Sequence, residues 1–263
     1  MSSSPLPGTV WRASRIGHAA VLAFSSGFAA LDAELPGAGW PAGMLTELIS
    51  QESGIGELRL LVPLLRRLTR ERRFVVVLGP PQTPYAPALA GYGIDLDYLL
   101  IVQATHAADR LWAVEQTLKS SGFGALLAWL PQPRTRPEHL RRMQLAAHGT
   151  QGPAFLFRPL EAQFDSSPAP LRLLLLPRPE QRLSVQILKR RGPVIADPLL
   201  VDLPRPLSSI RLRSRISPEA ASAVPMQTIH GGARMPPDPA AESSAQETPR
   251  SRSSDPAALR ETR

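Results

Sequence analysis

The chain has 263 residues, 43% of them hydrophobic, which is enough for one α/β domain with an ordinary core and additional tails. It contains no cysteine, which excludes disulfides, thiolate catalysis and cysteine-ligated zinc and fits a reducing compartment. The formal net charge of +8 suggests a nucleic-acid partner, but only Lys119 and Lys189 of the 30 basic residues are lysine, and such an arginine bias is typical of a GC-rich genome.

Apolar runs and helical periodicities predict strands and helices that alternate along most of the chain. We expect a mostly parallel sheet flanked by helices, with antiparallel strands at its C-terminal end. Residues 1–9 are predicted to be a flexible N-terminus, 10–203 a folded domain and 204–263 a disordered basic tail. The predicted strands are 44–49, 74–78, 98–103, 124–130, 154–157, 171–176, 183–188 and 199–202, and the predicted helices are 57–72, one ending near Gly91 or Gly93, 107–120 and one beginning near 135–138.

Two local features predict where particular side chains lie. Thr135 and Glu138 form a T-x-x-E pattern, which predicts a capping box at the start of the helix that Leu140 and Met143 continue. We also expect the tryptophans Trp40, Trp112 and Trp129 to pack in the core.

The segment 51–58 stands between a predicted strand and a predicted helix, where a phosphate-binding loop would be. A working loop reads G-x-x-x-x-G-K-[ST], with backbone amides around the phosphates, a lysine on the terminal ones and a hydroxyl on Mg²⁺. Here only the second of those glycines is kept, as Gly56, with Gly54 also in the loop. The first glycine is replaced by Gln51, the lysine by Glu57 and the hydroxyl residue by Leu58. We therefore predict a degenerate loop with no cofactor.

The five histidines, at 18, 106, 139, 148 and 230, have no paired spacing, so we expect no metal site. No catalytic residue is predicted, and the chain is not expected to be an enzyme.

Three stretches carry a resemblance to a known family. Residues 26–35 and 37–43 resemble the T/S-G-x-x-x-L-D-x-x-L and G-x-G-x-P-x-G lead-in of the RecA recombinase core, and 89–100 resemble the stretch after its second strand. With the loop G-x-G-E-L-R-L-L and Leu188–Gly192, the chain is most similar to the ImuA family, over roughly residues 10–205. The resemblance implies a RecA-like fold in the cytoplasm. It also implies that the metal-binding aspartate of that core would fall at Trp129 or Leu130 and its activating glutamate near Pro80 and Pro81, so ATP hydrolysis is not expected.

Resemblance to ImuA implies a non-catalytic adapter of SOS-induced, error-prone translesion DNA synthesis. Its expected partners are an ImuB-like inactive Y-family polymerase and, through it, an error-prone replicative-type polymerase. RecA and DNA are further partners that this resemblance allows. No run is long enough for a membrane span, and no N-terminal signal pattern is present, so a membrane partner is not expected.

Two other functions remain open. The chain also has a more distant resemblance to SulA, the SOS-induced division inhibitor, which implies binding to the division GTPase FtsZ. SulA-like chains are shorter and lack a long basic extension, which favours the adapter. The weakest alternative is a nucleotide sensor that holds phosphates through Gly54 and Gly56 alone, since Glu57 would repel them.

Two basic groups are candidate nucleic-acid contacts. The first group lies on one face of the predicted helix 57–72 and at its end, and a solvated helix face is the alternative explanation. Its members are Arg59, Arg66, Arg70 and Arg73. Lys189, Arg190 and Arg191 end a predicted strand, where a charged hairpin tip is the alternative. Neither group is interleaved with aromatic residues, so stacking on bases is not indicated.

The predicted tail contains one segment that differs from its surroundings. Residues 208–216, Ser-Ser-Ile-Arg-Leu-Arg-Ser-Arg-Ile, combine arginines with large apolar side chains. Such a segment can fold on contact with a partner, and an inert linker is an equal alternative.

Overall fold

A computed structural model describes residues 22–120, 122–131, 135–193 and 197–206. The predictions for residues 1–9 and for 208–216 lie outside these ranges. Among the described helices, none is long and apolar enough to cross a membrane.

Strands and helices alternate from the third strand to the seventh. The strands are β1 (Ala23–Phe24), β2 (Trp40–Pro41), β3 (Leu45–Ser50), β4 (Val75–Leu78), β5 (Leu99–Val102), β6 (Ala125–Trp129), β7 (Ala154–Pro159), β8 (Leu171–Arg178), β9 (Arg182–Lys189) and β10 (Leu199–Asp202). The helices are α1 (Ala29–Glu34), α2 (Glu57–Arg70), α3 (Ala86–Gly91), α4 (Ala107–Ser120) and α5 (Pro137–Ala147). Short 3-10 turns cover Leu96–Tyr98 and Leu160–Phe164.

Eight of the strands form one sheet in the order β10-β9-β8-β3-β7-β6-β4-β5. The pairs from β8 to β5 are parallel, whereas β8, β9 and β10 pair antiparallel. The prediction of a mostly parallel sheet with an antiparallel end is therefore confirmed. Strand β10 is antiparallel to β9, β9 is antiparallel to β8, and β8 is parallel to β3. Therefore β10 runs in the same direction as β3, and both strands end at the same edge of the sheet.

The central strands are buried on both faces, which is why they read as continuous apolar runs. Helices α1 and α2 pack on one face, around Leu48, Leu61 and Phe155. Helices α4 and α5 pack on the other face, around Leu126 and Leu156. The domain therefore has three layers, with the sheet between two pairs of helices.

The segment that leads into α1 is fixed by hydrogen bonds and by close packing against α2. The carboxylate of Asp32 accepts the amide of Ser26 at 2.7 Å and the hydroxyl of Ser25 at 2.6 Å, which fixes the turn before α1. A β-carbon on Gly27, which has a φ of +86°, would overlap Pro63 of α2. The S-G-x-x-x-L-D pattern thus holds α1 closely against α2.

Two local predictions are wrong. Thr135 is not the cap of α5, because its hydroxyl donates to the carbonyl of Pro131 and the helix begins at Pro137. Instead, the Arg136 amide donates to Nδ1 of His139 at 3.1 Å. Trp112 is not in the core but 65% exposed on α4, although Trp40 is fully buried as expected.

Candidate functional site

The loop between β3 and α2 is filled by one of its own side chains. The Glu57 carboxylate accepts the amide of Gly54 at 2.8 Å and the amide of Gly56 at 3.1 Å. Glu57 is the first residue of α2 and is only 4% exposed. Backbone amides at a helix N-terminus favour an anion, and in this loop the anion is internal.

The same loop is packed against the end of β10. Gly56 has a φ of +112°, a conformation that favours glycine, and a β-carbon there would overlap the side chain of Leu203. Arg59, one turn into α2, donates to the carbonyl of Pro204 from Nε at 3.1 Å and from Nη2 at 2.9 Å. The chain therefore leaves the last strand beside the degenerate loop and is held there by hydrogen bonds.

An aromatic pair occupies the position where a metal-binding aspartate would end β6. The ring of Trp129 stacks on Phe157 of β7, with centroids 4.0 Å apart and planes 8° from parallel. Trp129 is half-buried and Leu130 is buried. This wall is apolar, and it faces the loop at the carboxyl ends of β3, β6 and β7.

A pocket of about 200 Å³ lies between the loop and the aromatic wall. Its lining includes Glu52, Ser53 and Glu57 from the loop side and Trp129, Phe157 and Arg158 from the strand ends. Ligands of open α/β sheets bind at the carboxyl ends of the strands, so the pocket is in the expected place for a ligand.

The residues of this pocket do not fit a nucleotide with Mg²⁺. The amides of Gly54 and Gly56 that would bind phosphate already donate to a carboxylate. Leu58 packs against the core and has no hydroxyl for a metal. Within the described residues, no group of three or more acidic or histidine side chains could hold a metal ion.

A buried ionic cluster beside the pocket was not anticipated from the sequence. Glu47 of β3 is fully buried, and its carboxylate lies 2.7 Å from Nε of Arg172 and 3.3 Å from Nη1 of Arg158. Ser167 donates a further hydrogen bond to it at 2.7 Å, and Asp165 lies 3.0 Å from Nη2 of Arg158. A glutamate within the apolar strand β3, with one arginine in each of the apolar strands β7 and β8, was the available signal.

On this part of the sheet, the charged cluster and a 3-10 turn occupy the face that helices cover elsewhere. Glu47, Arg158 and Arg172 all point to the face on which α4 and α5 pack, as the strand register shows. The 3-10 turn Leu160–Phe164 lies over them, and its Ala162 carbonyl accepts a hydrogen bond from Arg172 at 2.5 Å. Paired charges are thus buried where helix packing ends.

Two of the four arginines predicted on and beside α2 have partners within the protein. Arg59 is held by the carbonyl of Pro204, and Arg73 lies over the ring of Phe24 at 5.1 Å and donates to the carbonyl of Gln151. Arg70 is exposed and Arg66 is half-buried.

The second basic group is also partly engaged. Lys189 donates to the carbonyl of Ser167, and Arg190 pairs with the Glu34 carboxylate at 2.7 Å. Arg191 is exposed. Nucleic-acid binding by either group stays a prediction.

Comparison with known proteins points to one family for the central part of the chain. The model of the family described as "Cell division inhibitor SulA" matches residues 43–152, from just before β3 to the end of the loop after α5. A protein of that name from Edwardsiella piscicida is 29% identical over 111 residues, which are 42% of this chain and 65% of that protein. Proteins of the same name from Pectobacterium atrosepticum and Pectobacterium carotovorum are each 29% identical, over 47% and 44% of this chain and 73% and 69% of their own length.

These matches correct the function expected from the resemblance to ImuA. The translesion adapter and its polymerase partners are wrong, because the family model and the reported relatives are all named as cell division inhibitors. The shorter length of SulA-like chains had favoured the adapter. That argument failed because the similarity lies within the folded core and does not depend on what flanks it.

Proposed function

We propose that this chain is a non-enzymatic inhibitor of cell division that acts in the cytoplasm by binding FtsZ as part of an SOS response. The observation that carries the proposal is the match of residues 43–152 to the SulA family. That segment contains β3, the degenerate loop, α2 and the strand that ends in Trp129, so the loop and one side of the pocket lie within it.

The geometry of the loop supports a role in binding rather than in chemistry. Glu57 occupies the amides that would hold phosphate, and Trp129 stands where a metal ligand would be. What the site offers is a fixed surface at the carboxyl edge of the sheet. An inhibitor that binds a polymerising protein needs such a surface and no turnover.

We further propose that the domain is a RecA-like core that has lost its nucleotide site. The order of a strand, a glycine loop and a helix at β3 and α2, in the middle of a largely parallel sheet, supports this relationship. The lead-in segment before α1 supports it as well. In this interpretation the fold is kept as a scaffold, and binding resides on its surface.

Controlled expression in a rod-shaped bacterium tests the proposed function. Cells that express the full chain should stop dividing and become filaments several times longer than cells with an empty vector, while DNA replication continues. The control is Trp40→Ala, which removes a fully buried side chain and should destabilise the domain. It shows whether the effect on division requires the folded protein. Cells of normal length in the presence of abundant, folded protein would contradict the proposal.

A further inference from the structure

The C-terminal end of α2 and the turn after it carry a dense group of positive charges. Five arginines fall within the eight residues 66–73, and Glu71 is the only acidic residue among them. We call these arginines the α2 arginine group; its members are Arg66, Arg67, Arg70, Arg72 and Arg73. The negative end of a helix dipole favours one or two cations in the last turn, so the dipole alone does not account for five.

Two members of the group are held in place by neighbouring residues. The guanidinium carbons of Arg67 and Arg73 lie 5.9 Å and 5.1 Å from the centre of the Phe24 ring, which is buried. Arg67 also pairs with Glu71 at 2.8 Å, and Arg73 donates to the carbonyl of Gln151 at 3.0 Å. These two cations therefore have fixed positions at the margin of the group.

The other three members are available to an external partner. The side chains of Arg66, Arg70 and Arg72 make no hydrogen bond and no ion pair with any of the described residues. Arg70 and Arg72 are exposed, and Arg66 is half-buried. Arg66 and Arg70 are about 6 Å apart along the axis of α2, on the side opposite the buried Leu61 and Leu68.

The backbone at Arg72 has a conformation that arginine does not favour. Its φ is +58°, in the left-handed region. The Arg72 amide donates to the carbonyl of Thr69 and the Arg73 amide to that of Leu68, each at 3.0 Å, so α2 ends in a Schellman motif. Glycine is the preferred residue at this position of the motif. An unfavoured backbone conformation at an exposed arginine points to a role for its side chain.

The chemistry of the group fits the phosphates of a nucleic acid. Planar guanidinium groups bind phosphate oxygens through two parallel hydrogen bonds, and a chain with a net charge of +8 is attracted to a polyanion. The centre of a protein interface is depleted of charged residues, whereas this group consists of charges. Contacts to phosphates carry no information on base sequence.

We propose that the α2 arginine group binds the backbone of duplex DNA without reading its sequence, and that Arg70 and Arg72 contact phosphates directly. Arg59, at the other end of α2, is not part of this surface, because it is held by the carbonyl of Pro204. The proposal does not depend on the function proposed above, because inhibition of division requires no nucleic acid.

The salt dependence of DNA binding tests the proposal. Fluorescence anisotropy measures the affinity of the full chain for a labelled duplex between about 50 and 200 mM salt. Each phosphate contact contributes about 0.9 to the slope of log affinity against log salt, so Arg70→Gln with Arg72→Gln should reduce that slope by about 1.8. Arg141→Gln with Arg178→Gln removes two other exposed arginines and should leave the slope unchanged. Equal slopes for the two double variants, or no binding by the parent chain at low salt, would overturn the proposal.

Two further measurements separate charge from structure and DNA from acidic protein. Arg70→Lys with Arg72→Lys keeps both charges and should keep the slope of the parent chain, whereas a loss equal to that of the glutamine variant would overturn the phosphate contacts. Unlabelled duplex should displace the labelled duplex at a charge concentration about tenfold below that needed for polyglutamate, because phosphates are more densely spaced on DNA. Equal displacement by polyglutamate would assign the surface to an acidic protein, and the proposal would be wrong.

Discussion

The Glu57 carboxylate lies 2.8 Å from the amide nitrogen of Gly54, inside a loop whose geometry suits a bound anion. It also accepts the Gly56 amide at 3.1 Å. A glutamate at the position where a phosphate-binding loop carries lysine has two effects. It offers no cation to a phosphate, and its carboxylate is the anion that the loop amides bind.

Glu57→Gln should destabilise the fold by about 1–2 kcal/mol, because the amide side chain keeps one acceptor, loses the charge and directs hydrogens at one of the two loop amides. Urea denaturation of the full chain measures the difference. Glu52→Gln, an exposed change in the same loop, is the control and should stay within about 0.5 kcal/mol of the parent. Equal losses for the two variants would show that the two hydrogen bonds do not hold the loop.

Glu47→Ala should cost about 3–5 kcal/mol, because it leaves Arg172 buried without its carboxylate and removes one of the two carboxylates that pair with Arg158. The control is Glu71→Ala, which breaks the exposed pair with Arg67 and should cost about 0.3–0.5 kcal/mol. Chemical denaturation of both variants provides the comparison. A loss below about 1 kcal/mol for Glu47→Ala would contradict a structural role for the cluster.

Gly56→Ala should be more harmful than Gly54→Ala, although both residues have a positive φ. The left-handed conformation costs alanine about 1–2 kcal/mol at either site, but only at Gly56 does the new methyl group meet Leu203. Adding Leu203→Ala should therefore recover part of the loss in the Gly56→Ala chain and none in the Gly54→Ala chain. If a double-mutant cycle shows no coupling between positions 56 and 203, then Leu203 does not contact Gly56, and the prediction is wrong.

We expect the contribution of Glu115 on α4 to the stability of the fold to depend on pH. A hydrogen bond from Lys119 at 2.7 Å and the nearby Arg142 hold the pKa of Glu115 below its ordinary value, against the opposing effect of burial. A carboxyl whose pKa is lower in the folded state stabilises the fold above its unfolded pKa, near 4.3, and loses that contribution as the pH falls through the folded pKa. Lys119→Ala should raise the pKa of Glu115 in an NMR titration, whereas Lys189→Ala should not. If Lys119→Ala leaves the pKa of Glu115 unchanged, then Lys119 does not lower that pKa, and the prediction is wrong.

Much of the fold could be predicted from the sequence because the central strands are apolar on both faces. Runs such as Val75–Leu78 and Ala125–Trp129 are bounded by turn residues, and the helices between them show a clear period. The order of strands in the sheet was not predicted, because it depends on which strands pair across long connections. Helix α2 is buried on more than one side, because Leu60 and Leu64 are buried as well as Leu61 and Leu65.

The site could be predicted only in part. The expectation that the loop does not bind a nucleotide rests on single residues at fixed spacing, which is information that a sequence carries. The use of Glu57 as an internal anion depends on a side-chain conformation, and the pairing of Glu47 with two arginines depends on strand register. The position of Trp112 was predicted wrongly, because hydrophobicity alone does not indicate whether a large side chain is on the core-facing or the solvent-facing side of a helix.

The most direct test of the proposed function is sedimentation of FtsZ polymers formed with GTP in the presence of the purified full chain. We predict that the polymer fraction falls in proportion to the added protein and approaches zero near an equimolar amount, with no phosphate released from ATP by the chain itself. Trp40→Ala at the same concentration should leave the polymers intact. An undiminished polymer fraction in the presence of excess folded protein would contradict the account.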